Sequence, residues 1–151
     1  MRHILIAIAV VLLSFSLVHA GNDLVNVKSS HDVKTTVELL LKALNAKGMK
    51  VFAVIDHAEG AKKAGNELRP TTLVIFGNPK IGSKLMQCNQ TVGIELPMKA
   101  LIWKDGRGQV WLTYIDPEEI ADRHNIKDCG KAVVKKIKKA LKNFAAAATK
   151  P

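Results

Sequence analysis

Two one-sided helical stripes, one near each end of the chain, constrain its fold more than any other feature. Val33, Val37, Leu40, Leu41 and Leu44 recur at helical spacing, as do Val133, Ile137, Ala140, Leu141 and Phe144 in a last helix expected from Lys131 to Phe144. A helix apolar along one stripe has to bury it, and the runs between the two helices supply a surface. Leu24 to Val27 alternates, while "MKVFAVIDH" and "TTLVIF" are strand-length and rich in β-branched and aromatic residues. "TTLVIF" is apolar on both faces, which predicts a central strand. "MKALIWKDGRGQVWLTYIDP" reads as a hairpin bounded by Pro97 and Pro117, with Asp105–Gly106 expected to supply the positive backbone angles of its turn.

Short helices fit the remaining gaps. Ser29 with Asp32 three residues on reads as a capping box for the first long helix, and Gly48 as its left-handed stop. Gly60 and Gly65 keep any helix in "AEGAKKAGNELRP" short. "KIGSKLMQ" suits a turn or two of helix, and "PEEIADRH" starts with Pro117 followed by two acids at the positive end of the dipole. The "AAAATKP" tail looks frayed. The order β-α-β-(short helix)-β-(short helix)-β-β-α-α predicts an α+β fold: a mostly antiparallel sheet of about five strands with its long helices on one face.

The first 20 residues stand apart from this pattern. Arg2 and His3 precede an apolar and serine run from Ile4 to Val18, and a small residue, Ala20, stands before Gly21. That order reads as a secretory signal peptide cleaved after Ala20, its run shorter than the roughly 20 residues needed to span a bilayer. Gly21, not cysteine, follows the cut, so no lipid anchor is expected there. A periplasmic or secreted location follows. Residues 21–151 suffice for one core that buries roughly two-thirds of the unfolded surface. Losing Arg2 lowers the net charge of +10 by only one, so export does not explain the basicity. In an oxidising compartment the two cysteines, Cys88 and Cys129, favour a disulfide; the alternative is two buried thiols that never meet. Neither lies in a C-x-x-C, which leaves a thioredoxin-like role without support.

Several stretches carry chemistry on paper. Gly77 to Lys84 spells G-x-x-x-x-G-S-K, one transposition from a P-loop. The swap of Ser83 and Lys84 turns the lysine by about 100° on a helix, and Pro79 removes a phosphate-cradling N–H, so a nucleotide site is not expected. An anion such as a carboxylate on the N–H groups of the following helix, near Lys80 or Lys84, is the remaining functional option there. Asp56–His57 at a strand end offers a general base or ligand, yet adjacent strand residues point to opposite faces, and a capping role for His57 competes. His57, Met86, Cys88 and His124 suit soft metals or haem in type, but no pair has ligand spacing. No nucleophile elbow surrounds Ser83 or any other serine. Residues 127–151 hold eight lysines and one aspartate. Such a helix can lie on an anionic membrane, or simply dock its stripe with solvated lysines. With 5% aromatics, a nucleic-acid stacking platform is not expected.

Several motifs resemble a known family. "IDHAEGAKKAGNELRPTTLVIFGNPKIGSKLMQ" followed by "LPMKALIWKDGRGQVWLTYIDP" is similar to the bacterial family catalogued as domain of unknown function 302, from about Val25 to about His124. The motifs are Ile55–Asp56–His57, the segment ending at Leu68, Phe76–Gly77–Asn78–Pro79 with Gly82, Leu85–Met86, Pro97, Asp105–Gly106, and Tyr114 with Asp116–Pro117. The resemblance implies a compact domain like the β-α-β4-α arrangement of TATA-binding-protein-like folds, and self-association. It supplies no activity. The family has other small residues in place of Cys88, and the matched pattern stops before Cys129.

The expected organisation is a leader at 1–20, the α+β domain at 21–126, and a basic amphipathic helix and tail at 127–151. Asp56, His57, Asn78, Lys80 and Asp116 are the candidate ligand contacts, because they fall at strand ends where polar groups meet solvent. In an antiparallel sheet successive ends lie on opposite edges, so only some can share a cleft. No catalytic residue, metal site or cofactor is assigned. The reading is an exported, non-enzymatic binding or interaction domain, expected as a homodimer. Its further partner is a small molecule or protein not identified by sequence, with no nucleic acid and at most weak contact with an anionic membrane. Two alternatives stay open: an acid–base or hydrolytic enzyme using His57, and an anionic-surface binder using the lysine-rich helix.

Overall fold

The computed structural model describes residues 23–151, so the leader expected at 1–20 lies outside the described residues. The chain runs β1 (Leu24–Lys28), α1 (Val33–Ala46), β2 (Lys50–Asp56), α2 (His57–Lys63), β3 (Thr71–Gly77), α3 (Pro79–Cys88), a 3-10 turn (Gln90–Ile94), β4 (Met98–Lys104), β5 (Val110–Ile115), α4 (Pro117–Arg123) and α5 (Lys131–Thr149). The strands form one antiparallel sheet in the order β1-β5-β4-β3-β2. This is the α+β architecture that the two stripes demand.

Alternation along the strands decides the two faces. Val74 and Phe76 of β3, Met98, Ala100 and Ile102 of β4, and Leu112 and Tyr114 of β5 are buried, and the register sets Val74 opposite Ala100 and Ile102 opposite Leu112. α1 brings Val33, Leu40 and Leu44 to this layer, and α5 brings Val134, Leu141 and Phe144. Phe144 meets Phe76 edge-on, ring centroids 6.2 Å apart, which fixes α5 over β3. The other face carries Leu73, Ile75, Leu101, Trp103, Trp111 and Ile115, all only partly buried, and neither α1 nor α5 packs on it. Its indoles are tied in place: Trp103 Nε1 donates to Thr113 Oγ1 at 2.8 Å, and Trp111 Nε1 to Asp105 Oδ2 at 2.9 Å.

Three local expectations are corrected. The cap of α1 is Asp32, whose Oδ1 accepts from Thr35 N at 2.7 Å, while Ser29 is buried and hydrogen-bonded to the Thr36 hydroxyl at 2.7 Å. A carboxylate one residue ahead of the first helical residue reaches the free N–H directly, so the serine upstream is not needed as a cap. β3 is an interior strand as expected, lying between β4 at the middle of the sheet and β2 at its edge. In the hairpin turn the positive angle sits at Gly108 (φ +84°), not at Asp105–Gly106. Asp105 Oδ1 instead accepts from Arg107 N and Gln109 N, making a longer, side-chain-held loop. The tail is not frayed: α5 continues to Thr149 with Ala145, Ala148 and Thr149 buried. Small alanines let the helix end approach the start of α1 closely, where Ser30 N donates to Thr149 O at 2.9 Å.

Candidate ligand cavity

β2 is irregular where it meets the end of β3. Val51 pairs with Phe76 and Ala53 with Ile75, which leaves Phe52 as the extra residue of a bulge. Its ring remains 45% exposed, with Lys50 Nζ 5.0 Å from the ring centroid. After β3, Asn78 accepts from Lys80 N at 3.0 Å and Pro79 opens α3. That helix runs to Cys88, which is disulfide-bonded to Cys129 across a Cα separation of 5.9 Å. The bridge fastens the end of α3 to the segment leading into α5.

Between the β2 bulge, α3, the segment before β4 and one flank of α5 lies a cavity of about 570 Å³. Its walls are Phe52, Ile81, Leu96, Ile137 and Ala140, together with Met49, Met86 and Met98. Those three are all the methionines of the chain apart from Met1. Ile137 and Ala140 belong to the stripe that the sequence assigns to the core, and both are only partly buried because they face this space. Met86 is 37% exposed and belongs to the same wall. Among the described residues, the charged members of the lining are Lys47 and Lys136, both exposed, and no aspartate or glutamate lines it.

The five sequence candidates are distributed over the surface. Asn78 lines the cavity. Lys80 lies in the first turn of α3, exposed. Asp56 is the cap of α2 and accepts from Glu59 N at 2.9 Å; His57 is the first helical residue after it, with its ring exposed. Asp116 caps α4, its Oδ1 accepting from Glu118 N at 3.0 Å, and Lys138 Nζ stands 3.0 Å from its Oδ2. The hydrogen bonds of Lys138 to Glu118 and Asp116 hold its ammonium above the usual lysine range. Asp116 thereby joins α4 to α5. Asp56 instead borders a wider depression of about 1480 Å³ along the start of α1, lined by charges of both signs that include Asp32, Lys34, Glu38 and Lys62.

The residues considered for a metal do not converge. His124 Nδ1 is 2.8 Å from the Thr91 hydroxyl, Cys88 is in its disulfide, and among the described residues no three His, Cys, Asp or Glu side chains gather as a metal-holding group. Arg123 binds Glu95 and, at 2.8 Å, Asp23, fastening α4 to the segment before β4 and to the start of β1. Sequence reading missed the cavity because its walls come from four separated stretches. The one compositional signal was the placement of the methionines.

The family model described as "Domain of unknown function DUF302" matches residues 25–144. The chain belongs to the DUF302 family. The match continues through Cys129 into α5, further than the sequence motifs reach, and past the boundary drawn at residue 126. A solved structure, that of an uncharacterized conserved DUF302 protein from Bacillus stearothermophilus, superposes with a TM-score of 0.76 at 20% identity. The superposition covers 84% of this chain and 98% of that one. The chain is also 48% identical over 111 residues to proteins named fluoride-specific ion channel FluC 1, from Brucella suis and Brucella abortus. The aligned segment is 74% of this chain but 43% and 40% of those relatives, so the chain spans about two fifths of their length. Among the described residues of the DUF302 chain, no helix is long and apolar enough to cross a membrane.

Proposed function

We propose that this DUF302 chain is an exported, non-catalytic binding domain that takes a small apolar molecule into the cavity between α3 and α5. The observation that carries the reading is the partly open apolar wall. Phe52, Met86, Ile137 and Ala140 face a concave space of about 570 Å³, within the range of roughly 300–1,000 Å³ typical of small-molecule sites. Apolar side chains held half-exposed inside a concavity gain from any ligand that removes them from water. The Cys88–Cys129 bridge supports the exported location, since such bonds persist in oxidising compartments. That a segment of this kind makes up about two fifths of longer relatives supports a self-contained module. An acid–base reading needs an oriented His57, whereas the neighbouring Asp56 carboxylate is engaged by the α2 backbone.

The test is binding of the uncharged fluorophore N-phenyl-1-naphthylamine to the purified protein. Ala140→Phe and, separately, Gly82→Leu fill the space from opposite walls; folding of each is checked by circular dichroism. Saturable fluorescence enhancement that weakens at least tenfold in both folded variants is expected. No enhancement, or equal binding by the filled variants, contradicts the reading.

The sheet face that neither α1 nor α5 covers, among the described residues, supports the second element of the proposal, a homodimer. Leu73, Ile75, Leu101 and the two tryptophans form a contiguous apolar surface across three strands, the kind of patch that marks an association site. Sedimentation should report twice the chain mass, and Leu101→Arg should return a folded monomer. A wild-type monomer at high micromolar concentration removes this element.

A further inference from the structure

We propose that the cavity selects a single alkyl chain ending in a carboxylate. The inference rests on the ligand-binding reading above and names its ligand class. The walls define the alkyl part. At roughly 30 Å³ per heavy atom, the share of a liquid water molecule, about 570 Å³ corresponds to about 19 atoms. A chain of about 10–14 carbons with its head group therefore fits without filling the space. Met49, Met86 and Met98 are unbranched and polarizable, so they adapt to a chain with many rotamers better than a rigid wall does.

The rim defines the head. Lys47, just past the end of α1, and Lys136 of α5 are its charged groups, and both ammonium groups are exposed. Lys50, over the Phe52 ring, adds a third cation beside the same wall. An amine head would meet like charges and a neutral head would gain nothing from them. A carboxylate meets opposite charge at the edge of an apolar space, where screening by water is weaker than on an open surface. Asn78 adds a donor: its Oδ1 is taken by Lys80 N, which leaves the amide N–H₂ to hydrogen-bond a carboxylate. Among the described residues, no carboxylate competes in the lining.

The experiment displaces bound N-phenyl-1-naphthylamine with dodecanoate, dodecanol and dodecylamine, each below its micelle-forming concentration, at neutral pH and low salt. Dodecanoate should displace at least tenfold more tightly than dodecylamine, with dodecanol between. The double charge reversal Lys47→Glu/Lys136→Glu, on exposed residues, should invert that order. Along a series of carboxylates, each added methylene should tighten binding about three- to fourfold until the cavity is full, then cease to help. Equal displacement by the three heads, an unchanged order in the double variant, or no displacement of bound fluorophore overturns this inference and leaves the cavity reading standing. Failure of the fluorophore to bind at all removes both.

Discussion

Removing the Cys88–Cys129 bridge tests how the cavity is held together. In the chain-entropy model a closed loop of 41 residues lowers the unfolded chain's entropy by about 13 cal/mol/K, or about 4 kcal/mol at 25 °C. Packing adds little to this, because Cys129 is exposed and Cys88 only partly buried, so Cys88→Ala/Cys129→Ala leaves no large void. The loop contains the β4–β5 hairpin, and residual pairing there in the unfolded state shortens the effective loop. The expected loss is therefore about 2–4 kcal/mol. With a urea slope of about 2 kcal/mol/M, the midpoint should fall by about 1–2 M, and dithiothreitol should move the wild type to the same place. Ligand binding should weaken as well, since the bridge fastens the α3 wall to the segment leading into α5. A midpoint shift below about 0.3 M in the folded double variant would refute the argument that the bridge constrains the unfolded chain.

Other predictions concern packing and pH. A Cβ on Gly130 would lie 2.2 Å from Ile126 Cγ2 and 3.2 Å from Leu85 Cδ2, so Gly130→Ala should cost about 1–3 kcal/mol by overpacking beside the bridge, measured by urea unfolding. The Trp111 indole, then the Gln109 and Arg107 backbone N–H groups, hold the Asp105 carboxyl below its usual value of 3.8; the Thr35 N–H does the same for Asp32. A carboxyl with a depressed folded pKa contributes stability that is present above the unfolded value and lost as pH falls through the lower folded one. The urea midpoint should therefore drop as pH falls below about 4, and Asp105→Asn should flatten that drop; an equally steep acid transition in the variant would contradict the assignment.

The parts of this molecule governed by local pattern are legible from the residues. Leu40 and Leu44 go inside because their spacing leaves them no other place, and the β4–β5 hairpin is bounded by its prolines. The candidate contacts fall apart from one another for an equally physical reason. Asp56, Asn78 and Asp116 stand at strand ends, and each strand there runs into a helix whose first N–H groups need an acceptor. Polar residues chosen as ligand contacts are thus three helix caps, of which Asn78 alone also borders the cavity. The cavity itself depends on the Phe52 bulge and on where α5 crosses β3, and neither is written in a window of ten or twenty residues. Ile137 and Ala140 do pack against the core, and hydrophobic spacing cannot show that their other side borders an open space.

The most direct test of the central claim uses the three methionines. With ¹³C-methyl-methionine labelling, titration of the protein with dodecanoate should shift the methyl resonances of Met49, Met86 and Met98 together, with one binding constant. Those shifts should be lost in Ala140→Phe. Saturable dodecanoate binding that leaves all three resonances in place would put the ligand elsewhere and contradict the account.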